Sequence, residues 1–129
     1  MLNLDSLTLS DLIGVPYKEK GRDLNGLDCY GAGILAVYIL IKKHLRDIVF
    51  TKNTTELENE LAPTLNVIQV DKIETGNILL MTLFDELHIG VAINSKQFIH
   101  ATKNQGVRIS QISDWKIHAI YKVIDDGNN

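Results

Sequence analysis

Three residues of this sequence have the types and the order that covalent catalysis by a thiol requires: Cys29, His88 and His100. A cysteine nucleophile needs a deprotonated thiol, a base within hydrogen-bond reach, and a third group that fixes the base's tautomer and ring orientation. Cys29 supplies the thiol, His88 the base and His100 the orienting group. Cys29 follows a glycine-bearing loop, and Asp28 before it stands where a helix N-cap belongs. The positive end of the helix dipole favours thiolate there. Backbone N–H groups of the first turn, that of Cys29 included, are donors for an oxyanion. Gly31 and Gly33 follow at once. Each costs a helix roughly 1 kcal/mol against Ala, which makes sense where something must approach the backbone closely.

His88 opens the apolar run His88-Ile-Gly-Val-Ala-Ile, and His100 lies in the next, Gln97-Phe-Ile-His-Ala, with an Asn94-Ser95-Lys96 turn between. Paired as a hairpin about that turn, the runs bring both histidines to one end of the ribbon, with the nearest-opposite partner of His88 close to His100. The other two histidines fall outside this pattern: His44 reads as a surface residue at a helix end, and His118 has no partner in it. Other readings of the same residues stay open. A free cysteine is most often a small buried hydrophobe, and each imidazole alone is most often a satisfied, partly buried side chain. One Cys with two His resembles a three-ligand zinc set, although no CxxC or HExxH spacing accompanies it. The same arrangement kept in a binding or assembly module, with hydrolysis slow or absent, is a further reading. In either case the cysteine precedes both histidines.

These residues must be carried by a definite set of elements. Residues 7–13 form a short helix stopped by Gly14 and Pro16, and residues 17–27 form a loop. Residues 29 to about 46 form a helix, apolar nearly all round through Ile41 and therefore buried. Lys42, Lys43, His44 and Arg46 crowd its last turn, as the dipole favours. A second short helix covers residues 54–61, capped by Thr54 or Thr55. Short β-prone runs follow at Val67–Val70, Ile78–Leu83, His88–Ile93, Gln97–Ala101, Val107–Ile109 and Ile117–Ile124, then a frayed tail from Asp125 to Asn129. Helices first and a strand meander after them predict an α+β fold, with helices packed on one side of an antiparallel sheet.

The 129 residues suit a single domain, 1–129, and a hydrophobic fraction of 45% supports a core without staples. A net charge of -3, with no Lys/Arg cluster, argues against nucleic acid as a partner. The longest apolar run, Ala32–Ile41, is too short to span a bilayer. One cysteine excludes an internal disulfide. The N-terminus has neither the positive segment nor the long apolar segment of a secretory signal, so cytoplasmic synthesis is expected. No cofactor and no metal are expected.

Tyr17 in Val15-Pro-Tyr, Gly26-Leu-Asp-Cys-Tyr-Gly, Gly76-Asn-Ile-Leu-Leu-Met, His88-Ile-Gly-Val-Ala-Ile, Gln97-Phe-Ile-His-Ala and Gly106-Val-Arg-Ile-Ser together resemble the NlpC family of papain-like cysteine peptidases. The ordered set spans residues 14–110. The resemblance implies a reduced papain-like fold whose N-terminal buried helix carries the cysteine against an antiparallel sheet. It implies Cys29, His88 and His100 as the catalytic set and Tyr17, Asp28 and Tyr30 as substrate-binding residues. It also implies cleavage of an amide bond in peptidoglycan stem peptides. The sequence departs from the family where Lys18-Glu-Lys-Gly-Arg-Asp replaces Trp-Gly-Gly, and where Tyr30 and Asn77 replace Ser and Asp. Gly21-Arg-Asp with Asp28-Cys-Tyr-Gly is similar to the branch found in phage tail proteins. That likeness implies phage tail partners and delivery to the cell wall in a phage-like particle. Lys18, Lys20 and Arg22 are the cations expected to meet substrate carboxylates.

Overall fold

The computed structural model describes residues 2–47 and 66–124; the helix expected at 54–61 and the tail at 125–129 lie outside the described residues. Helix α1 spans Leu9–Leu12. Thr8 and Asp11 cap it reciprocally: the Thr8 N–H donates to the Asp11 carboxylate at 2.9 Å, and the Asp11 N–H to the Thr8 carbonyl at 3.1 Å. Beyond it, Gly14 turns the chain at φ +87°. The Gly14 N–H then donates to the Val107 carbonyl and the Val107 N–H to the Val15 carbonyl, each at 2.9 Å. The expected loop at 17–27 contains a two-stranded ribbon, β1 (Arg22–Asp23) against β2 (Gly26–Leu27). Its turn is held by the Asn25 N–H on the Asp23 carboxylate at 2.9 Å.

Helix α2 spans Cys29–Ile41, shorter than the sequence predicts. Lys42 takes the left-handed conformation at φ 57° and its N–H closes on the Tyr38 carbonyl, which ends the helix. The basic residues from Lys42 to Arg46 therefore do not form its last turn. Leu45 instead turns inward and is buried, while the Asn66 side chain accepts the Arg46 N–H and donates to the His44 and Ile124 carbonyls. Those bonds fasten the segment after α2 to the end of the sheet.

The sheet has six antiparallel strands: β3 (Val67–Val70), β4 (Ile78–Leu83), β5 (Glu86–Ala92), β6 (Gln97–Thr102), β7 (Gly106–Gln111) and β8 (Ile117–Val123). Their order is β3-β8-β4-β5-β6-β7. Alternation splits the side chains between two faces. Ile78, Leu80, Leu87, Ile89, Val91, Ile99 and Ala101 join the core under α2, and Leu79, Met81, Ala92 and Phe98 form a smaller cluster with Ile112, Trp115 and Ile117 behind the sheet. Helix α2 lies on β5 and β6, and Gly33 permits this: a Cβ there would stand 3.1 Å from Ile89 Cδ1.

β4 and β5 are joined by the two-residue turn Phe84-Asp85, both with positive φ (52° and 63°). That is the type I′ geometry where Asn-Gly is favoured, and an aromatic residue in it costs on the order of 1 kcal/mol. β5 and β6 pair only at Val91–Ile99 and Ala92–Phe98. Extended, that register would set His88 opposite Thr102 rather than near His100, but the ladder stops short of it. The strand ends separate, and both histidines sit at the separation.

Candidate active site

Cys29 is the first residue of α2, and one carboxylate organises the backbone around it. Asp28 Oδ1 accepts the Gly31 N–H at 2.7 Å and Arg22 Nη1–H at 2.8 Å, and Oδ2 accepts the Lys20 N–H at 3.0 Å. Asp28 thus caps the helix and bolts the Lys18–Arg22 loop onto its start. Arg22 also reaches Asp47 at 3.1 Å. The loop lies against the helix backbone so closely that a Cβ on Gly31 would fall 2.1 Å from the Gly21 carbonyl oxygen. The expected close approach at Gly31 is therefore one of protein to protein.

Cys29, Tyr17, Leu87 and His88 line one cavity of about 330 Å³, closed on its outer side by Phe84, Thr102, Lys103 and Asn104. The structure brings Cys29, His88 and Tyr17 together. Tyr30 is not among the lining residues; it is buried in the core, and its hydroxyl donates to the Arg46 carbonyl. Asp28 is buried with both oxygens engaged within the chain. Lys18, Lys20 and Arg22 do not line the cavity either: Arg22 is the counterion of Asp28. The cation at the rim is Lys103, 3.6 Å from Glu86.

His88 and His100 are buried, at 5% and 1% exposure. His88 Nε2 meets His100 Nδ1 at 2.8 Å, and His100 Nε2 meets Ser110 Oγ at 2.7 Å. One proton order suits base catalysis. With Nε2–H of His88 donating to His100, and Nε2–H of His100 donating to Ser110, His88 Nδ1 keeps its lone pair. The same chain accepts a second proton at Nδ1 without rearrangement, because Nε2 of an imidazolium donates in the same direction. Burial pushes His88 down from 6.5 to about 4, so its neutral, proton-accepting form prevails at neutral pH. Burial first, then His88 and Arg108, also holds His100 below its ordinary range.

Sequence reasoning missed two members of this assembly. Ser110 stands opposite Phe98 in the β6–β7 register, hence on the face of His100; only the pairing reveals it. Trp115 stacks on His88 with centroids 5.9 Å apart and meets His100 edge-on at 5.1 Å. It covers the pair from behind the sheet. Of the remaining histidines, His44 packs against the Tyr38 ring, and His118, which seemed isolated, shares a 2.9 Å hydrogen bond with Thr82. The zinc reading gains no support from the geometry. The facing nitrogens of His88 and His100 are bonded to each other and cannot both point at one ion, and among the described residues no cluster of three metal-ligating side chains occurs.

No curated protein matches the chain significantly. Its fold is similar to that in the crystal structure of the NlpC/P60 domain of the peptidoglycan hydrolase SagA. The TM-score is 0.61 at 23% identity, covering 95% of this chain and 100% of that one. The model of the NlpC/P60 family matches residues 14–123, which takes in α2, every strand of the sheet and the histidine pair: the chain belongs to the NlpC/P60 family.

Proposed function

We propose that the protein is a cell-wall cysteine peptidase that hydrolyses an amide bond in peptidoglycan stem peptides, with Cys29 as nucleophile, His88 as general base and His100 as the residue that orients the base. One observation carries the reading: Cys29 and His88 face a common cavity while Nε2 of His88 is already committed to His100. Only Nδ1 of His88 remains to serve the thiol. The family and the name of its structural neighbour support the substrate class.

His88 Nδ1 takes the thiol proton, and Cys29 Sγ attacks the amide carbon. The oxyanion gathers at the start of α2, where the Cys29 N–H and the helix dipole stabilise it. The imidazolium returns its proton to the leaving amine as the C–N bond breaks, leaving a thioester. His88 then removes a proton from water, whose oxygen attacks the thioester, and the carboxylic acid departs as the thiol is re-formed. Tyr17, on the cavity wall, binds the substrate. Asp28 acts through the helix start and not by touching substrate. Lys103 at the rim is placed to meet a stem-peptide carboxylate.

The test is mass spectrometry of purified peptidoglycan fragments incubated with the wild type and with Cys29→Ala. The expected result is a pair of products whose masses sum to substrate plus one water, absent with Cys29→Ala. Wild-type protein that cuts no stem peptide would refute the substrate class, and equal cleavage by Cys29→Ala would refute the thiol mechanism.

A further inference from the structure

A second cleft, of about 390 Å³, opens on the other side of the histidine pair and reaches His100 and Ser110. Leu83, Phe84, Thr102 and Asn104 line both it and the Cys29 cavity, so the two clefts adjoin across these residues. The mechanism uses only the inner one.

The chemistry of the outer cleft is specific. Asn104 and Gln105, in the turn between β6 and β7, bring amide groups to its lining, while Gln97 and Gln111 border it from strands whose alternation sends their side chains to the opposite face. Each amide offers donors and an acceptor, the pattern a hydroxyl-rich ligand returns group for group. Two aromatic rings, Phe84 and Trp115, stand in the same cleft; the negative face of an aromatic ring attracts polarised C–H bonds such as those on one side of a pyranose. Arg108 and Asp114 contribute one charge of each sign. A phosphate would call for several cations, and an aliphatic ligand would leave the amides without partners.

Phe84 is the decisive residue. It is 82% exposed and gains little from packing, yet it occupies a left-handed turn position at φ 52° that Asn or Gly would fill without strain. The fold gives no reason for it. Its place at the junction of the two clefts gives one.

We propose that the outer cleft is a saccharide-binding subsite, with Phe84 as its stacking platform, and that it holds the glycan residue to which a stem peptide is attached while the peptide lies over Cys29. This rests on the hydrolase reading for its context, but the binding step is separable from cleavage.

Trp115 is the sole tryptophan of the chain and lines this cleft, so its fluorescence reports on the cleft and on the histidine pair that it covers. The experiment titrates the full chain carrying Cys29→Ala with a peptide-free disaccharide of N-acetylglucosamine and N-acetylmuramic acid, and in parallel with a sugar-free stem peptide. It is repeated with Phe84→Asn, which suits the turn and should hold or raise the melting temperature, and with Gln105→Ala. The expected result is a saturable change with the disaccharide, weakened at least tenfold by Phe84→Asn and measurably by Gln105→Ala. In wild-type turnover, KM should be at least tenfold lower for glycan-linked than for free stem peptide. No response to the disaccharide, a response to the free peptide alone, or unaltered affinity in folded Phe84→Asn would each overturn the proposal. If the disaccharide binds as described but no peptide is ever cut, the subsite stands and the hydrolase reading falls. If free peptide is cut and the disaccharide does not bind, the reverse holds.

Discussion

Replacing Asp28 by Asn should damage the protein nearly as much as replacing it by Ala, although the change looks conservative. All three groups that contact the carboxylate are donors: the Gly31 and Lys20 N–H groups and Arg22 Nη1. An amide has one oxygen and one NH2. Whichever way it is turned, its NH2 confronts either the Lys20 N–H or the Gly31 and Arg22 donors. Loss of the cap is worth about 1 kcal/mol, and loss of a charge-assisted hydrogen bond about 1.5–3 kcal/mol. The second figure belongs at its lower end, because Arg22 keeps Asp47 and part of its hydration. The sum is about 2–3 kcal/mol, or a fall in Tm on the order of 6–10 °C for a chain of this size. Urea and thermal unfolding of the wild type, Asp28→Asn and Asp28→Ala measure it. The alkylation rate of Cys29 by iodoacetamide, which should change as the loop loosens from the helix start, gives a local readout. An Asn variant within about 0.5 kcal/mol of wild type, below the smallest of the contributing terms, would refute the view that one carboxylate holds this corner together.

Acid should weaken the fold through the histidine pair. The folded pKa of His88 lies near 4, below the unfolded value of 6.5, so the unfolded chain binds more protons between those values. Stability is full above pH 6.5 and is lost as pH falls toward 4, by up to about 3 kcal/mol for His88 alone; urea midpoints across this range should flatten in His88→Asn. In catalysis, His100→Asn should keep measurable activity, since its amide oxygen can accept from His88 Nε2–H in place of His100 Nδ1. His88→Asn, with no group to take the thiol proton, should lose about 10²–10⁴-fold in kcat; equal losses would show the division of roles to be wrong. Gly31→Ala separates helix propensity from packing. Propensity predicts a gain of about 1 kcal/mol, while a Cβ 2.1 Å from the Gly21 carbonyl oxygen predicts a loss of about 1–3 kcal/mol, and denaturant unfolding reads the sign.

Much of the local structure was legible because local rules govern it. Asp28 caps α2, apolar alternation marks the strands, and the order of helix and strands sets the α+β class. The end of α2 was not legible, because Lys42 adopts a left-handed conformation that nothing in its own type demands; Leu45 must turn inward and Asn66, distant in sequence, must hold the next segment. The ribbon at 22–27 was hidden because two-residue strands carry no periodicity. The basic-acidic stretch around Arg22 read as a surface for substrate carboxylates, whereas Arg22 is spent on Asp28 and Asp47. The same packing accounts for Gly21-Arg22-Asp23 without reference to a phage particle. Type and order singled out Cys29 and the two histidines, and the resemblance joined them into one set; the structure puts Cys29 and His88 on one cavity and bonds His88 to His100. Ser110 and Trp115 were not legible, since they join the pair only through strand register and through the far face of the sheet.

The two hydrogen bonds between Val107 and the Gly14–Val15 segment have a consequence for solubility. β7 is the last strand of its sheet, and an uncovered outer strand is a template for strand addition by another copy of the chain. Gly14 and Val15 occupy the outward N–H and carbonyl of Val107, and Gly106 lets them close in, since a Cβ there would fall 2.4 Å from the Val15 carbonyl oxygen. Farther along β7, Arg108 places a charge beside the exposed Ile109. The segment that leads toward the Lys18–Arg22 loop therefore also guards against self-association. Proteolysis near α1 would be felt first as aggregation and exchange of strands between molecules, before any loss of the thiol's chemistry.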